Sequence, residues 1–181
     1  MLRECVRLAR EENRLVVFLE PIALYPMRDL HAEKDGAWMD VYPQANERLG
    51  FGDIGVTGEG TDLAILTYGN GVYLSHQARK TLAEDGLAVR IIDLRWLAPL
   101  PEAAILDAIS GVKSVLVVDE CRRSGNIGEA LMTLLAENGI TRSARVAAED
   151  SFIATGPAYA ATLPCAPGIA QAARTLAGRA S

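Results

Sequence analysis

Two glycines and an acid make the sharpest chemical suggestion in this sequence. Tyr68-Gly69-Asn70-Gly71 stands between an apolar run and a helix-patterned stretch, and Asp93 ends the next apolar run. Glycines so placed let a pyrophosphate approach a helix N-terminus, while the acid accepts from a ribose hydroxyl. Gly69, Gly71 and Asp93 thus define a stand-alone dinucleotide-binding reading. The third glycine of that pattern is missing, since Leu74 occupies its place, and a tight strand-to-helix turn is the preferred reading. A second cluster, Asp119-Glu120-Cys121-Arg122-Arg123-Ser124-Gly125-Asn126, closes another apolar run with two carboxylates and leads into a helix past two arginines. Such a loop serves as a salt-bridged subunit contact, an anion site or a solvated turn, and the residues alone leave all three open. Gly125 and Gly128 lack the following Lys-Ser/Thr of a phosphate loop, so nucleoside triphosphate binding is not supported.

The remaining reactive side chains carry less. His31 and His76 stand apart from any serine or cysteine in a nucleophile context and read as surface histidines. Ser151 lacks the G-x-S-x-G turn that would expose a nucleophile. Cys5, Cys121 and Cys165 form no C-x-x-C pair, which argues against a disulfide scaffold and a redox motif. Adding the two histidines gives no zinc spacing, so no metal site is expected. Each cysteine reads as a small buried hydrophobe.

The elements that would position these residues follow from periodicity. Leu2, Cys5, Val6 and Ala9 make a helical stripe, and Leu15 to Leu19 (LVVFL) reads as a buried strand. From Pro21 to about Thr61 prolines and glycines break every pattern, which suggests a linker between two units. Beyond it, strands and helices take turns. Asp62 to Tyr68 is strand-like, and Leu74, Ala78 and Leu82 face one way in a helix closed by Gly86. Leu87 to Leu94 is a strand; Pro101 opens a helix carrying Ile105, Ala108 and Ile109 inward. Ser114 to Asp119 is a strand, followed by a helix with Ile127, Leu131, Leu134 and Leu135 and a glycine cap at Gly139. Ala144 to Ala148 is a short strand, and Pro167 opens a last helix with Ile169, Ala172, Ala173 and Leu176 on one face. Strands apolar along most of their length, joined by helices, predict a mostly parallel sheet covered on both faces. In such a sheet the ligand or partner face lies at the strands' carboxyl ends: Tyr68 to Gly71, Asp93 to Trp96 and Asp119 to Asn126.

Composition narrows the function. Eighteen Lys and Arg against 23 Asp and Glu leave a net charge of -5, which excludes a nucleic-acid binder working through a broad basic surface. No apolar run has the length of a membrane span, and the first residues, MLRECVRLAREENR, are too charged for a signal peptide. A cytoplasmic protein is expected.

Taken in order, several strings identify a resemblance. FLEPIALY (Phe18 to Tyr25), EGTDLAILTYGNGV (Glu59 to Val72), QARKTLAEDG, VRIIDLRWLAPLP (Val89 to Pro101), SVLVVDE (Ser114 to Glu120), SGNIGEAL (Ser124 to Leu131) and RVAAEDSFI (Arg145 to Ile153) carry it. The chain resembles the beta-subunit end of thiamine-diphosphate-dependent 2-oxoacid dehydrogenase E1 components, the pyruvate, branched-chain and acetoin dehydrogenase group. Transketolase shares the fold, but FLEPIALY and DLRWLAPLP sit closer to the E1 dehydrogenases. The resemblance implies a three-layer α/β/α unit with a mainly parallel five-stranded sheet, like the transketolase C-terminal domain. It implies that residues 1–25 are the end of a pyrimidine-binding domain, 26–60 a linker, and 61–181 the C-terminal domain. Part of the linker is then the candidate for the fifth strand. Without its own sheet, the Leu15 to Leu19 strand would expose an apolar edge that could pair with a second copy.

The resemblance also implies a division of labour. The complete enzyme decarboxylates a 2-oxo acid on thiamine diphosphate with magnesium and passes the acyl group to a lipoyl-bearing E2 acyltransferase. This chain, however, departs from the cofactor-binding pattern: Gly52-Asp53-Ile54 lacks the second glycine of the family's G-D-G. No catalytic or cofactor-binding residue is therefore assigned, and the isolated chain is expected to bind no cofactor and to be inactive. Its expected partners are the remaining E1 domains or an alpha subunit, a second copy of itself, and E2. Glu120, Arg122 and Arg123 are the expected interface residues. Ser124-Gly125-Asn126 replaces the usual Gly-Gly after the strand-end Glu, and Ala154 stands where a proline is usual.

Overall fold

All five residues of Leu63–Thr67 are buried, which a strand achieves only when each face of its sheet is covered. The computed structural model shows what covers them and describes residues 1–179. The last two residues of the expected 61–181 unit, 180 and 181, lie outside the described residues. In chain order the elements are α1 (Leu2–Glu11), β1 (Gly55–Thr57), β2 (Leu63–Thr67), α2 (Asn70–Glu84), β3 (Val89–Asp93), α3 (Glu102–Ala108), β4 (Val115–Arg122), α4 (Ile127–Glu137), β5 (Ser143–Ala148) and α5 (Ala166–Leu176). The strands form one sheet in the order β1-β3-β2-β4-β5, with β1 antiparallel to β3 and every other pairing parallel.

Side-chain alternation along β2 assigns the layers. Leu63 and Ile65 meet Ala78 and Leu82 of α2 and Ile169 and Ala173 of α5. Ala64 and Leu66 point the other way, toward Ile105 of α3 and Leu131 and Leu135 of α4. Fully burying one such Leu or Ile contributes about 2 kcal/mol, so these two clusters stabilise helices whose own propensity is unexceptional. The three-layer architecture with a mainly parallel five-stranded sheet agrees with expectation. Its fifth strand, β1, does fall in the 26–60 stretch, with Gly55 opposite Asp93 and Thr57 opposite Ile91.

That stretch has no periodicity because polar contacts, not an apolar stripe, order it. Asp29 accepts from the N–H groups of Lys34 (2.8 Å) and Gly36 (2.9 Å). Asp35 accepts from those of Leu30, His31, Ala32 and Ala37 at 2.8–2.9 Å. These donors, the Ala37 N–H foremost, hold the Asp35 carboxyl well below the usual carboxylate range. The loop is fastened to α2 by Tyr73 Oη donating to the Asp29 carbonyl (2.9 Å) and Gln77 Nε2 to that of Leu30 (3.0 Å). The Trp38 ring stands edge-on to Tyr73 at 5.1 Å.

Three expectations need correction. Leu15 to Leu19 lies outside any sheet or helix, with Leu15, Val17 and Leu19 at 95%, 75% and 70% exposure. An apolar run becomes a buried strand only where neighbouring strands exist, and none of the described strands reaches it. The α1 stripe is also rotated: Leu2 and Val6 are exposed, while Glu4, Cys5 and Leu8 are buried. Cys5 and Leu8 pack on Trp96, which follows β3, and Glu4 is neutralised by Arg7 at 2.6 Å. Third, only Cys5 is buried; Cys121 and Cys165 are exposed, because Cys121 lies in the uncovered last residues of β4 and Cys165 stands just before α5.

Candidate functional site

Asp119 organises the carboxyl ends of the parallel strands. It lies near the end of β4, fully buried, and a buried carboxylate is stable only when its oxygens are hydrogen-bonded. Tyr68 Oη donates to Oδ1 at 2.7 Å, the Cys121 N–H to the same oxygen at 2.9 Å, and the Gly128 N–H to Oδ2 at 2.7 Å. The ladder between β4 and β5 shifts register between Asp119 and Arg122, and this bulge lets the chain turn back over its own strand end. Burial, then the bond to Asp119, pushes the Tyr68 phenol far above its ordinary value, so it stays a donor.

The rest of the loop is pinned on both sides. Glu120 accepts from Asn70 Nδ2 at 2.9 Å, joining this loop to the turn before α2. Asp150 accepts from the Ser124 N–H at 2.9 Å and from the Ser124 hydroxyl. Those bonds, with one from the Arg123 N–H and the nearby Arg122 charge, hold the Asp150 carboxyl below its ordinary value. Asn126 caps α4 by accepting from the Glu129 N–H at 3.3 Å, and the Glu129 carboxylate accepts from the Gly125 N–H at 2.9 Å. Arg122 and Arg123 are left exposed on the outside. Arg122, Ser124, Asp150 and Phe152 border an open groove of about 520 Å³.

Of the expected interface residues, then, Arg122 borders the groove and Arg123 beside it in sequence is exposed, whereas half-buried Glu120 is turned toward Asn70. Among the described residues Glu120 makes no ion pair with either arginine. The dinucleotide candidates do other work. A Cβ on Gly71 would lie 2.1 Å from Thr67 Oγ1, so this glycine permits close packing of α2 on β2. Gly69 begins the helix at φ +55°, the left-handed region that glycine tolerates. Asp93 pairs with Arg95 Nε at 3.2 Å. The turn is covered by Pro21, whose Cγ is 4.0 Å from where a Gly69 Cβ would stand, and by the Asn70–Glu120 bond.

At the start of α4 the N–H groups of Gly128, Glu129 and Gly125 are already bonded to Asp119, Asn126 and Glu129, which leaves little for a phosphate. Among the described residues no three His, Cys, Asp or Glu side chains are grouped to hold a metal ion. His31 is exposed, and His76 is half-buried in α2 with its ring 6.0 Å from that of Trp38. Sequence reasoning put Tyr68 and Asn70 at the strand-end face but not their bonds to Asp119 and Glu120, and it missed Asp150 altogether. The position of Tyr68 and Asn70 at a strand's carboxyl end was the signal; Asp150 had none.

Comparison with known proteins gives this geometry a family setting. The family model described as transketolase, C-terminal domain, matches residues 52–166. The chain is 31% identical over 144 residues to the pyruvate dehydrogenase E1 component subunit beta of Staphylococcus aureus (strain Mu50 / ATCC 700699), covering 77% of this chain and 41% of that subunit. It is 29% identical over 170 residues to the subunit of the same name from Bacillus subtilis (strain 168), covering 92% and 49%. The chain thus spans less than half the length of these relatives. Among solved structures, a split-gene transketolase in an inactive beta4 tetramer superposes with TM-score 0.67 at 21% identity, over 79% of this chain and 47% of that one. A 2-oxoglutarate:ferredoxin oxidoreductase from Magnetococcus marinus gives TM-score 0.53 at 20% identity, over 69% and 20%. Both superpositions speak for the fold.

Proposed function

The chain belongs to the transketolase C-terminal domain family, and from that premise we propose that it serves as the assembly domain of a 2-oxoacid dehydrogenase E1 beta portion. The complete enzyme would oxidatively decarboxylate a 2-oxo acid in the cytoplasm and hand the acyl group to a lipoyl-bearing E2. Thiamine diphosphate with magnesium would supply the electron sink for that decarboxylation. The residues of this chain do not fit the cofactor, since the helix N-terminus nearest the strand-end loop is satisfied by the chain's own side chains. Its own part is to present surface. Helix α1 and the 15–25 segment would dock the remaining E1 domains or an alpha subunit, or a second copy, and the rim with Arg122 and Arg123 would meet E2.

The observation that carries this reading is the distribution of exposed apolar side chains. Among the described residues, every exposed large apolar side chain other than Phe152, Ile153 and Tyr159 lies within residues 2–56. An apolar surface gathered in one part of a chain marks an interface.

The test is a calorimetric titration of the chain with thiamine diphosphate plus magnesium and, separately, with NAD, alongside a turnover assay using an artificial electron acceptor. Silence in all three is the expected result. Heat with NAD that disappears in Asp93→Ala would replace this proposal with the dinucleotide reading. Heat with thiamine diphosphate, or turnover, would show that the chain holds active-site groups and is no mere assembly domain.

A further inference from the structure

The opposite end of the sheet, where the parallel strands begin, carries a local charge that runs against the whole molecule. A cleft of about 120 Å³ there is bordered, among the described residues, by Lys113, Arg142 and Arg179, with Asp62 the one carboxylate among them. Three cations against one acid leave a local excess of positive charge on a chain whose net charge is -5.

Each cation is held in place by a bond that leaves donors over. Arg142 gives Nε (3.2 Å) and Nη2 (3.0 Å) to the carbonyl of Leu176 at the end of α5. Arg179 gives Nη1 to the carbonyl of Asp85, which follows α2 (2.5 Å). Lys113 Nζ gives one hydrogen to Asp62 Oδ1 at 2.7 Å. A guanidinium has five N–H donors and an ammonium three, so most have no protein partner among the described residues and face solvent. Asp62 cannot serve them all: its Oδ2 accepts from the Ala88 N–H at 3.0 Å. Its carboxyl is held below the ordinary value by Lys113 first and that N–H next. Ser114 is fixed beside it, its Oγ donating to the Asp62 carbonyl at 2.8 Å. The two arginines, already ordered by backbone carbonyls, lose little freedom on meeting a ligand.

We propose that the cleft between Lys113, Arg142 and Arg179 is a binding site for a phosphoryl oxyanion, remote from the strand carboxyl ends and independent of the assembly role. The group bound is either free phosphate or the phosphate of a small organic monoester. Binding is weak and salt-sensitive, because the cleft is shallow and its cations are solvated.

Amide chemical shifts of the full chain, followed by NMR during titration with inorganic phosphate at constant ionic strength, test this. The expected result is a saturable shift confined to Lys113, Ser114, Arg142 and the end of α5. It should weaken at least about tenfold in Arg142→Gln, in line with the loss of one charged hydrogen bond. Because Arg142 also holds the end of α5, Lys113→Gln serves as a second variant and should weaken binding as well. Glycerol 3-phosphate run in parallel decides the source: tighter binding than phosphate identifies an organic monoester, and equal or weaker binding identifies free phosphate. Shifts that do not saturate, that chloride reproduces, or that persist unchanged in both variants overturn the proposal.

Discussion

Asp119 is tied to Tyr68 across 51 residues of sequence, and the cost of breaking that tie is the most direct check on the strand-end loop. Tyr68→Phe keeps the ring and removes the donor. It leaves Oδ1 of a fully buried carboxylate with the Cys121 N–H alone. A loss of about 1–2 kcal/mol in urea denaturation is expected, and unchanged stability would show that the tyrosine hydroxyl is not needed there. His76 offers a second check. Its imidazole is held below the ordinary value of 6.5, by burial first and then by Arg79 and His31, with Asp93 opposing. A base whose folded value is lowered binds fewer protons folded than unfolded, so stability is full above 6.5 and declines as pH falls below it. Stability followed from about pH 8 down to about pH 5 should decline in the wild type and decline less in His76→Gln. Identical profiles would refute the assignment. Sequence reasoning took His76 for a surface residue, because the Trp38 that half-buries it comes from a stretch without periodicity.

At the scale of elements, the close approach of α2 to β2 depends on the glycine at position 71. The Cβ of Gly71→Ala would fall 2.1 Å from Thr67 Oγ1, and Thr67 is itself fully buried, so neither partner has room to yield. The expected loss is about 1–3 kcal/mol by chemical denaturation; a neutral result would mean that α2 shifts freely on the sheet. The G-x-G spacing was legible in the sequence, but its purpose was not. Glycine admits both a ligand and a neighbouring strand, and only the position of the Thr67 side chain distinguishes them. Helix α1 teaches the same lesson in reverse. Its apolar residues predicted one face and the structure buries another, because Trp96 and the Glu4–Arg7 pair decide which side is covered.

The whole molecule is uneven: a sheet with both faces filled, and a first third carrying most of the exposed apolar side chains. Leu15, Val17 and Leu19 are exposed at alternate positions along a segment that belongs to no sheet, a pattern that another strand can pair with. Sedimentation at rising concentration should therefore show self-association of the chain. The triple variant Leu15→Lys, Val17→Lys, Leu19→Lys should abolish it while changing unfolding stability by no more than about 0.5 kcal/mol. A wild type monomeric at every concentration, or a triple variant that unfolds, would contradict the picture. The sequence by itself determined the alternation of strands and helices and the parallel three-layer sheet, because buried strands and amphipathic helices write their periods directly into residue order; the family came from the resemblance of whole strings such as FLEPIALY and DLRWLAPLP. The tertiary structure alone decided that Glu120 faces Asn70 and that Asp119 and Asp150 pin the loop. Those outcomes depend on which distant groups share a volume, and residue spacing does not record that.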